Sequence, residues 1–463
     1  MGICKTASRG THVTERLWIR NPLASLEPAA TGGVVVEGTR IAELVPLGAE
    51  PEGGTGDLRI FDASRHVLLP GLVNAHHHFY QTLTRACPAA LNKPLFPWLK
   101  SLYPLWAGLT AEMLEAASSL ALAELLLSGC TTAADHHYLF PEGLDDAIDV
   151  QVAAAKSLGI RAHLTRGSMS LGEDQGGLPP QSTVQTEEAI LADSERLIKR
   201  HHDPAPGALI QLALAPCSPF SVSTELMTAS AKLARQYGVR LHTHLAETHD
   251  ETAFCEKMFG LRPLDYLEKV GWLAGDVWLA HGIHFEAAEI KRLGKAGVGI
   301  CHCPSSNMIL SSGIAHTLEL ERAGSPVGLG VDGSASNDGS NMIQEVRQAL
   351  LLQRLRYDAS EVTHQAAYRW GTEGSARCLG REDIGKIEVG READLALFAL
   401  DEMRFSGSGD PLAALLLCGG HRADHVMVAG KWRVTDGEIT GFDLPALLHK
   451  HHALGQKLQG LAA

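Results

Sequence analysis

LLPGLVNAHHHFYQT (68–82) runs from a proline-led apolar stretch straight into three consecutive histidines. An apolar run that ends in ligand-type residues suits a buried strand whose C-terminal end opens onto a site. The arrangement recurs along the chain. The β-like runs are LLPGLVNAHHH, GCTTAADHH, RAHLTRG, ALIQLALAP, VRLHTHLAE, VWLAHG, GVGICHCP and VGLGVDG, most of them separated by amphipathic segments such as AEMLEAASSLALAELLLS and STELMTASAKLARQYG. Eight strands alternating with helices predict an α/β fold, a (β/α)8 TIM-like barrel. A doubly wound open sheet would not explain polar residues at the end of run after run. In a barrel those ends form one active-site face.

Both chain ends have a different texture. GGVVVEGTRIAELV, GGTG and LRIFDA near the start, and IGKIEVGREADLALFAL and HVMVAGKWRVTDGEIT near the end, alternate β-branched residues with glycine turns. They are expected to pack together as one β-rich side module. At 463 residues the chain exceeds what one core usually supports, which agrees with a large domain plus a smaller one.

Composition narrows the partners. A net charge of −13 argues against a nucleic-acid surface, which needs a basic stripe. Nine scattered cysteines, several inside apolar runs (Cys130, Cys217, Cys301), suit reduced thiols. The start MGICKTASRG has no apolar signal region, and no uninterrupted apolar stretch long enough to span a membrane follows. MGICKT fits the loose myristoylation pattern, but so short a motif matches by chance and acylation is not expected. The expectation is a cytoplasmic enzyme acting on a small molecule, with no nucleic-acid or membrane partner.

The opening histidines are sorted by strand period. Side chains at i and i+2 share a face, so His76 and His78 project into the barrel while His77 points away. The fifth run ends LHTHLAET, with His242 and His244 on one face and Glu247 three residues on. The sixth and eighth runs place His281 and Asp332 at the same rim. Several imidazoles and a carboxylate from four strand ends make a divalent site of borderline N/O character. CHCP (301–304) offers Cys and His ligands too, but is more simply a buried strand.

The order HxH, HxxE, H, D over eight strands resembles the amidohydrolase superfamily, and the match covers nearly the whole chain. That resemblance implies a β-sandwich built from both ends, with residues 1–69 as its N-terminal half, 70–380 as the hydrolase barrel, and 381–463 as the C-terminal half and terminal helix. It implies His76, His78, His244 and Asp332 as metal ligands, and Glu247, His281 and Asp332 as catalytic groups. His242 would have an outer supporting or packing role. Binuclear members carry a modified lysine at the end of strand four; ALIQLALAPCSPF has none, so one metal is expected, Zn2+ with Fe2+ as the alternative. The HxE…PCxxC pattern of cytidine deaminases is missing. A dimer or other homo-oligomer is a family-level expectation.

A metal-activated water, a nearby carboxylate to carry protons and an orienting imidazole suit hydrolysis of an amino-substituted heteroaromatic ring. HxxE at strand five resembles the deaminase branch. NAHHHFYQTLTRA, LLLSGCTTAADHHY, RGSMSLGEDQGGLPPQS and VDGSASNDGSNMIQEVRQ look most like the 8-oxoguanine deaminase group, whose members are also labelled hydroxy-triazine aminohydrolases. The implied reaction is 8-oxoguanine plus water to urate plus ammonia. Guanine deaminases would carry an arginine in a PRF-like segment where this chain has APCSPF, with Cys217 at that place. The alternatives are another ring (an isoxanthopterin-like pterin, a hydroxy-triazine or guanine) or a non-catalytic scaffold, which the intact ligand set and Glu247 disfavour. A phosphate-handling barrel is suggested by VDGSASNDGS but better explained by its aspartate.

Substrate contacts are expected from Gln81, whose amide both donates and accepts, from Trp106 as a flat wall, and from Arg166 at the end of strand three. The glycine-rich loop 167–182 is a candidate lid. Asn74 is expected to support its strand end, and Asp338 and Asn341 to cap the helix NMIQEVRQALLLQRL.

Overall fold

The structure, a computed structural model, describes residues 16–56 and 58–461. The MGICKT segment lies outside the described residues. Eight parallel strands form one sheet in sequential order. They are β1 (Leu72–Asn74), β2 (Cys130–His137), β3 (Arg161–Ser168), β4 (Ile210–Pro216), β5 (Arg240–Leu245), β6 (Val277–His281), β7 (Gly299–His302) and β8 (Val327–Leu329). The sheet closes where the Ala75 N–H donates to Leu329 O at 2.9 Å. Just above, Asp332–Gly333 pairs in parallel with His77–His78. Every residue of β2 and β3 is buried, because side chains alternate between a filled barrel interior and the helix layer.

The helices begin and end where their local chemistry directs. Thr110 accepts the Met113 N–H at the start of helix Ala111–Leu127, and Ser223 does the same with Leu226 before Thr224–Tyr237. Gly159 and Gly238 close helices in the left-handed region. Asn341 caps Met342–Gln353 through Gln344 N–H as expected. Asp338 does not: at φ 60° it turns aside and receives the Ala86 N–H instead.

The two chain ends interleave. A six-stranded sheet runs Ala24–Ser25, His66–Pro70, Leu395–Ala399, His425–Val428, Lys431–Thr435, Glu438–Ile439, and a four-stranded sheet is built from residues 16–62. Ile19, Val34 and Ile41 from one end pack with Leu395, Leu397 and Met427 from the other. Gly129, at φ 89°, lets Phe398 lie against the foot of β2, since a Cβ there would meet its ring at 2.5 Å. No helix among the described residues is long and apolar enough to cross a membrane.

Arg161 ties the barrel to the C-terminal segment. Its guanidinium is fully buried and bonds Asp394 at 2.7 and 3.1 Å and Glu392 at 2.8 Å. Removing one partner of a buried pair strands the remaining charge, at a cost of about 3–5 kcal/mol. Arg161→Met is therefore expected to lower the urea midpoint by that equivalent; a loss below about 1 kcal/mol would show that the two carboxylates do not depend on it.

Candidate functional site

The imidazoles at the barrel mouth are oriented by their outer nitrogens. His78 Nδ1 donates to His136 O and His244 Nδ1 to Cys217 O, each at 2.7 Å. His242 Nδ1 donates to Trp278 O at 2.9 Å, so its Nε2 is an acceptor and takes the Nδ1–H of His76 at 2.8 Å. A neutral imidazole has one donor and one acceptor nitrogen, and each of His76, His78 and His244 therefore turns an Nε2 lone pair inward. Burial, the largest influence, holds His76, His242 and His244 well below the ordinary imidazole range.

Those lone pairs converge. His78 Nε2 and His244 Nε2 are 3.2 Å apart, and Asp332 Oδ1 is 3.2 Å from His76 Nε2 and 3.3 Å from His78 Nε2. His76 Nε2 is buried without a hydrogen-bond partner among the described residues. Acceptors this close repel one another unless a cation lies among them. Metal bonds of about 2.0–2.2 Å at the tetrahedral angle set ligand atoms roughly 3.3 Å apart, the spacing found here. The donor set fits a divalent ion. A second group, His66, Asp424 and His425, lies in the six-stranded sheet. His66 Nε2 contacts Asp424 Oδ2 directly at 2.7 Å and Arg65 sits on the same oxygen at 3.0 Å, which makes it an ion-pair network.

Beside these converging atoms stand Glu247 and His281, with His281 Nε2 3.5 Å from Glu247 Oε2 and 4.0 Å from Asp332 Oδ2. Burial pushes the Glu247 carboxyl up from its ordinary range. Burial is the largest influence on His281 and opposes its charge, but Glu247, Cys303 and Asp332 together outweigh it and hold the imidazole well above its usual value. His281 Nδ1 donates to Asn307 Oδ1 at 3.1 Å, and Ser306 Oγ donates to Asp332 Oδ2 at 2.6 Å. Glu251 accepts the N–H groups of Ala246 and Glu247 at 2.9 and 3.0 Å and so fixes the turn that carries Glu247. His281 and Asp332 have φ of 71° and 62°, a region costly for non-glycine residues and typical of functional turns.

A narrow cavity opens onto these groups. Its lining includes His78, His244, Glu247, His281 and Asp332 together with Gln81, as the sequence predicts. Leu95, Trp98, Leu99 and Tyr103 of helix Leu95–Trp106 complete it with Tyr138, Cys217, Phe220, Leu310 and Ser336.

Two of the expected substrate contacts lie elsewhere. Trp106 is fully buried below the cavity, donates to Thr84 Oγ1 at 3.2 Å and packs edge-on against Tyr80 and Trp98. The aromatic wall at the cavity is Trp98, two turns earlier on the same stripe. Arg166 is held by Asp193 at 2.9 Å and Gln185 at 2.7 Å and lies over the Phe140 ring, so its charge is satisfied away from the cavity. The 167–182 loop forms short turns and contributes no lining residue. Cys301, His302 and Cys303 are buried; His302 faces Gln353. His77, directed away from its neighbours, meets Ser340 Oγ at 2.9 Å. Asn74 bridges the strand ends, donating to Ala134 O at 3.3 Å and accepting Val331 N–H at 2.9 Å. Sequence reasoning missed Trp98, Tyr103 and Phe220, and also Glu251 and Ser306; the 95–99–103 spacing in LFPWLKSLY was the one available signal.

Comparison with known proteins gives the following. The model of the amidohydrolase family matches residues 67–433. The chain is 65% identical over 446 residues to an 8-oxoguanine deaminase of Pseudomonas aeruginosa, covering 96% of this chain and 99% of that protein. It is 38% identical to a hydroxydechloroatrazine ethylaminohydrolase of a Pseudomonas strain, over 86% of this chain and 84% of the relative. Among solved structures, atrazine chlorohydrolase from Arthrobacter aurescens in complex with zinc superposes with a TM-score of 0.89 at 33% identity, covering 95% of this chain and all of that one, 100%.

Proposed function

The chain belongs to the amidohydrolase family, and from that membership we propose that it is a metal-dependent deaminase converting 8-oxoguanine and water to urate and ammonia. The observation that carries the chemistry is the convergence of three imidazole lone pairs and one carboxylate beside a buried Glu247–His281 pair. The P. aeruginosa relative narrows the ring to the oxidised purine.

His76, His78, His244 and Asp332 would hold one divalent cation, taken here to be zinc with iron as the alternative. Bound there, such an ion lowers the pKa of a coordinated water to about 7 and supplies hydroxide at neutral pH. His281 orients the attacking oxygen. Glu247 takes the first proton of the water and delivers it to the ring nitrogen next to the amino-bearing carbon, so no charge accumulates on the ring when the C–O bond forms. Asp332 accepts the second proton from the added oxygen and passes it to the amino group, the C–N bond breaks as the C=O bond forms, and ammonia leaves. Gln81 sits one helical step past the ligands with one amide N–H free to meet the ring edge: its Oε1 accepts from Ala335 N–H, and its Nε2 has a 3.4 Å contact with Tyr80 Oη. No disulfide joins the described cysteines, which suits a reducing compartment, and we place the enzyme in the cytoplasm.

The experiment compares ammonia release by zinc-loaded protein from 8-oxoguanine, guanine, isoxanthopterin and a hydroxy-aminotriazine. 8-Oxoguanine is expected to lead in kcat/KM by a factor of about ten or more, or roughly 1.4 kcal/mol of transition-state preference. A lead for any other ring would overturn the substrate assignment and leave the metal chemistry in place.

A further inference from the structure

The wall contributed by helix Leu95–Trp106 carries one polar atom that the free protein leaves unused. Tyr103 is 1% exposed, lines the cavity, and its buried hydroxyl has no hydrogen-bond partner among the described residues. Other polar atoms around the cavity are already bonded. Gln81 Oε1 accepts the Ala335 N–H, Trp98 Nε1 donates to Ala335 O at 3.1 Å, and the Tyr80 and Tyr138 hydroxyls bond each other. A buried hydroxyl without a partner is destabilising, so native structures rarely keep one without a use. Among the described residues, no side chain of this helix forms a hydrogen bond or ion pair with His78, His244, Glu247, His281 or Asp332. The ionisable groups near the Tyr103 hydroxyl are Cys217, Tyr80 and Tyr138, and burial keeps the phenol protonated, a donor.

We propose that Tyr103 donates a hydrogen bond to the oxygen at C8 of the oxidised purine and is a specificity-determining residue of this site. The proposal rests on the reaction assigned above. With C2 held among the convergent histidines, C8 is the far end of the fused ring, and its carbonyl is an acceptor where guanine has only C–H. A site built to bond a polar atom rejects the analogue that lacks it, because its own buried group is left unpaired.

Urate carries an oxygen at C8 and a further ring N–H that xanthine lacks, and it is an anion at neutral pH. The last two differences act alike on wild type and Tyr103→Phe, so the change in the urate-to-xanthine preference between the two proteins isolates this contact without turnover. Dissociation constants for both are measured by tryptophan quenching at one pH, on zinc-loaded wild-type protein and Tyr103→Phe. The urate-to-xanthine preference of wild type is expected to exceed that of Tyr103→Phe by about tenfold or more. The ligand-free thermal midpoint of Tyr103→Phe should hold or rise, because an unpaired hydroxyl has been removed. A preference unchanged by the substitution, or a large fall in the midpoint, overturns the proposal. Ammonia release keeps the two assignments apart. A wild type that shows the Tyr103-dependent preference but does not deaminate 8-oxoguanine refutes the reaction and leaves the role of Tyr103 standing.

Discussion

Glu247→Gln is expected to keep its metal and lose turnover by about 10²–10⁴-fold, the range that a positioned proton carrier contributes. The substitution is nearly isosteric, and the amide can still accept from Ser312 Oγ, which lies 3.4 Å from Glu247 Oε1. It cannot take a proton from the attacking water or return one to the ring. Glu247 is also not among the atoms that converge at 3.2–3.3 Å, so removing its charge leaves the ligand set whole. The outcome is read from two numbers on one preparation: metal per chain by elemental analysis, and kcat for ammonia release. Turnover within a few-fold of wild type would remove Glu247 from the proton path. Loss of metal would instead make it a ligand.

His78→Ala is expected to lose metal and activity together. His78 Nε2 stands 3.2 Å from His244 Nε2 and 3.3 Å from Asp332 Oδ1, so its lone pair is aimed at the same point as those of two neighbouring acceptor atoms. Its loss leaves a carboxylate and two imidazoles around a gap that water must fill, and a three-ligand site of that kind holds its ion less tightly. Desalted mutant protein should carry close to no metal and show no activity above background. Its thermal midpoint should also stop responding to added zinc, since an ion that binds only the folded state stabilises it by mass action. A fully metallated His78→Ala would refute the ligand assignment.

The alternation of strand and helix, and the inward pair His76 and His78, could be read from the sequence because both rest on periods of two and 3.6 residues, which are local. The inward pair survived even though β1 stops at Asn74 and His77–His78 pairs separately with Asp332–Gly333. The same reasoning placed His244, His281, Asp332 and Glu247 at one rim, because parallel barrel strands all end on one face.

The substrate wall was not legible in that way. Trp98 and Trp106 lie on one apolar stripe of one helix, and periodicity assigns both to the buried side without saying which borders a cavity. Arg166 ends its strand at the expected height, but its charge goes to Asp193, which no local rule pairs with it. Strand period and strand order were enough to bring His76, His78, His244, His281 and Asp332 to one face; the choice of ligands among them came from the family resemblance. The tautomers needed the folded chain, because the Nδ1 partners of His76, His78 and His244 are an imidazole and two carbonyls brought in from distant parts of the sequence. Tertiary structure also decided the substrate wall, because packing, which depends on what the rest of the chain brings alongside, selects one residue from each buried stripe to face open space.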